Sequence, residues 1–136
     1  MTETRVFEID HREVVRADEW IEALGRRWGE SQRTMFGVRV CVAELFANVL
    51  EHGVGKSDRG RIKVTLARRR KGIDIEFRDT CGHFDPTTIT APVQNNSIES
   101  ATIGGRGLML VRTYAKEFTY HRDSSGNRIT LRIEAG

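Results

Sequence analysis

The feature that most limits how this chain can fold is a switch of hydrophobic period along it. In Val14–Glu30, the residues Val14, Ala17, Ile21, Leu24 and Trp28 recur at helical spacing. A second helical block runs on to His52 and buries Val38, Cys41, Val42, Leu45 and Val49. Ser31 or Thr34 is placed to cap it, and Gly53 and Gly55 stop it. The period then drops to two. Ile62, Val64 and Leu66 share one face of Arg61–Arg68, and Ile73, Ile75 and Phe77 share one face of Ile73–Asp79, with Arg69–Gly72 as the turn between. A short strand at Arg5–Asp10 precedes the helices. A helix over Leu108–Lys116, a strand Glu117–Arg122, a turn Asp123–Asn127 and a strand Arg128–Glu134 follow. This order predicts an α+β fold: a two-layer sandwich of a mixed, mostly antiparallel sheet with helices on one face. At 136 residues the chain has room for one domain.

Charge narrows the classes of partner. Lys and Arg number 22 against 19 Asp and Glu, a net +3. The excess is local: residues 1–52 hold 7 basic and 10 acidic groups, whereas residues 55–72 hold eight basic groups and one acid. That segment reads as a phosphate-binding patch or as the wet side of a hairpin. It has no aromatic residue for base stacking, and its basic strand is expected to pair with Asp74 and Glu76, so nucleic acid is not the expected partner. No apolar run reaches the ~18 residues of a membrane helix, and Met1–Arg5 is not a signal peptide, so the cytoplasm is the expected location, with no membrane partner. Cys41 and Cys81 make neither a disulfide framework nor a zinc site.

Three groups of residues break their local pattern. Glu44, Asn48 and His52 follow at i, i+4 and i+8 beside the apolar stripe of the second helix. They read either as a solvated face or as a base, a Mg²⁺ ligand and a phosphate contact. Asp79 lies two residues after Phe77, on the inward face at a strand's end. It serves either an Asx turn or cap, or as an acceptor for the exocyclic amine of adenine. Gly104, Gly105 and Gly107 precede an apolar helix, where backbone N–H groups can approach an anion. Such glycines are also common in loops, and the pattern matches neither a Walker loop nor a dinucleotide fingerprint. The irregular stretch Thr80–Gly107 between them holds both prolines and is long for a small domain.

In this order, the three groups resemble the ATP-binding (Bergerat-type) fold shared by gyrase B, Hsp90, histidine kinases and MutL. The nearer resemblance is to its single-domain branch, the bacterial anti-sigma factor serine/threonine kinases of partner-switching systems. Glu44-Leu45-Phe46-Ala47-Asn48 with His52-Gly53 looks like the N box. Asp79-Thr80-Cys81-Gly82-His83-Phe84-Asp85-Pro86 looks like the first glycine box, and Gly104-Gly105-Arg106-Gly107-Leu108 like the second. Gly126–Arg132 is similar to the branch's closing strand.

The resemblance implies one histidine-kinase-like ATPase domain over 1–136 with a lid at about 84–106. Glu44 would be the base orienting the attacking hydroxyl, Asn48 the Mg²⁺ ligand, and His52 a neighbour of the phosphates. Asp79 would bind the adenine amine. Gly82, Gly104, Gly105, Arg106, Gly107 and Leu108 would complete the nucleotide site, with ATP and Mg²⁺ as cofactors. The implied activity is phosphorylation of a serine on a small antagonist protein by a homodimer that otherwise holds a sigma factor or another client. The alternative is a non-catalytic nucleotide- or partner-binding module of the same fold. The chain departs from the family pattern at Cys81, where relatives have glycine, and at His83, where a second glycine is frequent. Asn127 and Arg128 stand where some relatives have a threonine near the adenine, and Thr130 is left unassigned.

Overall fold

A computed structural model describes residues 1–53, 60–82, 85–88 and 103–135, the side chains of 53 and 103–107 excepted. Strand β1 (Thr2–Glu8) leads into helices α1 (His11–Trp28) and α2 (Gln32–Asn48). A π-helical turn (Val49–Gly53) continues α2. Strands β2 (Arg61–Arg69) and β3 (Gly72–Asp79), a 3-10 turn (Pro86–Thr88), helix α3 (Ile103–Tyr114) and strands β4 (Glu117–Asp123) and β5 (Gly126–Glu134) follow. The sheet order is β1-β2-β3-β5-β4. The expected two-layer α+β sandwich is present, and among the described residues each of the four strand pairings is antiparallel.

Local chemistry sets the helix ends. The Asp10 carboxylate accepts from the Arg12 backbone N–H at 2.8 Å, so α1 begins at His11, three residues before its first apolar position. Gly29, at φ 66, closes α1 in the left-handed conformation that lets its N–H turn back to the Arg26 carbonyl. Ser31 is the cap of α2, accepting from the Thr34 N–H at 3.1 Å. Thr34 itself is buried one turn inside the helix.

Helices α1 and α2 pack on one face of the sheet, and α3 packs beside α2. A bidentate pair from Arg39 to Asp18 (2.8 and 2.9 Å) ties α2 to α1. The inner sheet face carries Ile62, Val64, Leu66, Ile73, Ile75 and Phe77, all essentially inaccessible, with Ile129, Leu131 and Ile133 continuing it on β5. Edge-to-face rings run through this core: Trp20 on Phe7 (5.9 Å between centroids), Phe7 on Phe46 (6.1 Å), and Phe46 on Phe77 (6.4 Å). On the outer face, one cross-strand row reads Thr4, Thr65, Glu76, Thr130 and Thr119, and the next reads Val6, Lys63, Arg78, Arg128 and His121. The basic hairpin is neutralised in part. Arg68 pairs with Glu30, and Arg69 pairs with Asp74, as expected of that acid. Glu76 is instead taken by Arg78 of its own strand, because the residue opposite it is Thr65 rather than a lysine or arginine.

Candidate functional site

The Phe46–Phe77 contact fixes the last turn of α2 over the end of β3. Asp79 is the next inward position of β3 after Phe77, and Asn48 closes α2, so both lie at one end of the interface between the layers. Glu44 lies one turn before Asn48 on the same side of the helix. The polar line predicted from spacing is thus real, but its third member is displaced. α2 gives way to a π turn after Asn48, which widens the helix and turns the following residues relative to a continuous α-helix. Asn48 is buried, Glu44 is half-buried, and His52 is exposed with its Nε2 3.6 Å from Glu51.

The electrostatics of the three residues differ accordingly. Burial pushes the Glu44 carboxyl above the usual glutamate range. Burial, with a contribution from the Glu44 charge, pushes the neighbouring Cys41 thiol up to about 12. Asn48 is 4% exposed, and its Nδ2 has no hydrogen-bond partner. An unmade bond on a buried amide costs about 1–3 kcal/mol. Turning the amide over exchanges its nitrogen and oxygen, so this position can offer either a donor to a phosphate oxygen or an oxygen to a hard cation. Among the described residues no group of three or more His, Cys, Asp and Glu side chains converges as a metal cage. An amide oxygen at Asn48 is a hard ligand of the kind that suits Mg²⁺, an ion ordinarily shared with phosphates and water, so this residue fits it.

Asp79 is 6% exposed, and its Oδ1 accepts from the Cys81 N–H and from Asn127 Nδ2, both at 2.9 Å. The Asx turn expected as one reading of this residue is therefore present. It uses one carboxylate oxygen and does not exclude a second role for the other. Cys81 belongs to the core, and a Cβ on Gly60 would stand 3.5 Å from its Sγ, so the side chain lines the wall toward Gly60. Burial first, then the charge and hydrogen bond of Asp79, push its thiol up to about 11, far from a reactive thiolate. At Gly82 an added Cβ would meet nothing within 4 Å among the described residues, while its carbonyl accepts from Asn127 Nδ2 at 2.9 Å. Space beside that backbone is what the approach of a ligand would require.

The second glycine box sits differently from its prediction. α3 starts at Ile103, so Gly104, Gly105, Arg106 and Gly107 lie in its first turns and not in a loop before Leu108. Helix propensity hides this start, since each glycine disfavours a helix by about 1 kcal/mol relative to alanine. The side chain of Arg106 is outside the described residues. Leu108 is buried as a packing residue, and any contact it makes to a ligand would come from its backbone. Of the expected lid, residues 84 and 89–102 lie outside the described residues, as does His83 of the first box. Within the described part, Asp85 caps the 3-10 turn by accepting from the Thr87 N–H at 2.9 Å. Arg112 of α3 donates to the Thr87 carbonyl at 2.8 Å.

Sequence reasoning placed Asn127 in a turn and gave it no role, though some relatives have a threonine near the adenine at this point. β5 begins two residues earlier than expected, at Gly126, and the register sets Asn127 opposite Asp79 on the inward face. The glycine permits this: at φ 129, a Cβ there would fall 2.1 Å from the Asp79 carbonyl oxygen. Thr130 lies on the other face, hydrogen-bonded to Thr119, and does not face Asp79.

Comparison with known proteins agrees with this geometry. Residues 7–133 match the family of histidine kinase-like ATPase domains. The chain is 31% identical over 114 residues, covering 82% of itself and 79% of the relative, to the serine/threonine-protein kinase BtrW of Bordetella bronchiseptica. Its fold matches that of a Mycobacterium tuberculosis protein with RsbU and RsbW domains (TM-score 0.70, 14% identity, 98% of this chain and 32% of that one). It also matches the histidine kinase domain of a blue-light activated kinase from Erythrobacter litoralis (TM-score 0.52, 17% identity, 75% of this chain and 45% of that one). The chain belongs to the histidine kinase-like ATPase family, among the relatives of the partner-switching serine/threonine-protein kinases.

Proposed function

We propose that this protein is an ATP- and Mg²⁺-dependent serine kinase that acts as an anti-sigma factor or an analogous partner-switching regulator, phosphorylating a small antagonist protein. The observation that carries the reading is the pairing at the end of α2: a half-buried carboxylate whose pKa is raised, one turn before a buried amide with an unmade hydrogen bond. Phosphoryl transfer asks mainly for positioning and charge neutralisation. Glu44 orients the serine hydroxyl and takes its proton at the carboxylate. Asn48 holds Mg²⁺, which when bound neutralises charge on the phosphates. Asp79 accepts from the adenine amine, and the backbone at Gly82 and the first turn of α3, from Gly104 to Leu108, faces the nucleotide, with Arg106 and His52 beside the phosphates. Residues 84–106 act as the lid over a single ATPase domain.

The partners follow from the same reading: an antagonist with a target serine, a sigma factor or other client, and a second copy of this chain. The homodimer reading looks to the outer sheet face, on the side opposite α1 and α2, where the cross-strand row Thr4, Thr65, Glu76, Thr130 and Thr119 lies. No helix among the described residues is long and apolar enough to cross a membrane. The test is transfer of label from Mg·[γ-³²P]ATP to a serine of the small antagonist-like protein encoded nearest this chain. Labelled phosphoserine is expected, and nucleotide binding without any transfer would favour the non-catalytic module.

A further inference from the structure

The polar cluster beneath the Asp79 turn extends to Tyr120 and Arg122, which the family motifs do not single out. Asn127 is 2% exposed and uses every hydrogen-bonding position it has. Its Nδ2 donates to Asp79 Oδ1 and to the Gly82 carbonyl, both at 2.9 Å. Its Oδ1 accepts from the Tyr120 hydroxyl and from Arg122 Nη1 at 3.0 Å. The same Arg122 nitrogen reaches the Cys81 carbonyl at 3.2 Å. With the Cys81 N–H also on Asp79 Oδ1, the plane of that carboxylate is set from two sides, and among the described residues no N–H group is bonded to Oδ2.

The Asn127 side chain has no donor or acceptor left for a ligand, so it acts on one through the groups it holds, Asp79 and the Gly82 backbone, and only Asp79 among these distinguishes one base from another. We propose that Asn127, held by Arg122 and Tyr120 of β4, is a positioning residue that aims Asp79 at the 6-amino group of a purine, so that the β4–β5 hairpin sets the base selectivity of the site. The inference rests on the reading of Asp79 as the adenine acceptor. Adenine presents a 6-amino donor to a fixed carboxylate, whereas hypoxanthine presents a 6-oxo acceptor that the same carboxylate repels. A carboxylate held in place makes that distinction sharply, and one free to turn away makes it weakly.

Calorimetric titration with Mg·ATP and Mg·ITP separates the possibilities. Wild-type protein is expected to prefer ATP by about tenfold or more. Asn127→Ala is expected to lose most of that preference through weaker ATP binding, with ITP binding little changed. Arg122→Ala, at an exposed residue, is expected to lose about half of the preference on a logarithmic scale, and it decides the matter if Asn127→Ala does not fold. A merely structural role would weaken both nucleotides alike and leave the ratio intact. Equal wild-type affinities would overturn the Asp79 reading and this inference with it. A preference retained in full by the folded variants would overturn the inference alone.

Discussion

A buried amide with an unmade hydrogen bond costs stability, and Asn48 carries one at the end of α2. Because its Nδ2 makes no bond among the described residues, Asn48→Ala is expected to leave the thermal midpoint within a few degrees of wild type. Mg²⁺-dependent ATP affinity should fall about tenfold or more. Calorimetry with and without Mg²⁺ checks this, and unchanged affinity would place the metal elsewhere. Glu44 makes a different demand. Its raised pKa means that the folded state holds the proton more tightly than an exposed glutamate does, so the ionised base forms only above the usual glutamate range. The acid limb of the transfer rate should therefore inflect above that range. The linkage has the same sign: the stability contributed by the protonated form is present at acid pH and lost as pH rises through the raised value. A pH–rate profile with its acid limb at an ordinary carboxylate pKa would contradict the assignment.

At the level of elements, Gly126 links the sheet to the site. β5 can start opposite the end of β3 only because no Cβ stands against the Asp79 carbonyl. Gly126→Ala is expected to cost about 1–3 kcal/mol in denaturant unfolding and to weaken ATP binding, since Asn127 follows it directly. Wild-type stability in this variant would mean that the approach is looser than the structure shows. The inner faces of β2 and β3 were legible in the sequence because alternation is local: Ile62, Val64 and Leu66 need no partner to be recognised. Glu44, Asn48 and Asp79 were legible as polar residues at inward or stripe-flanking positions. The role of Asn127 was not, because it depends on a register between residues 48 positions apart. Nor was the π turn, since its hydrogen bonds leave no mark on hydrophobic spacing. The early start of α3 was masked by its glycines, and the start of α1 at His11 by a cap outside the apolar stripe.

For the whole molecule, the net +3 is a local excess carried by residues 55–72. Arg68, Arg69, Arg78 and Arg132 are each tied to a carboxylate. A second copy is proposed on the outer sheet face, and Thr130→Arg, beside Glu76 in its cross-strand row, should shift sedimentation from the proposed dimer to monomer without changing ATP affinity. A dimer that survives this substitution would move the interface off the sheet. The central claim is that Glu44 serves the chemistry and not the binding of nucleotide. Single-turnover transfer of γ-phosphate to the antagonist serine, measured for wild type and Glu44→Gln beside their ATP affinities, tests it most directly. The account predicts a rate lower by about 10²-fold or more in the variant, with ATP affinity retained; equal rates in the two proteins would contradict it.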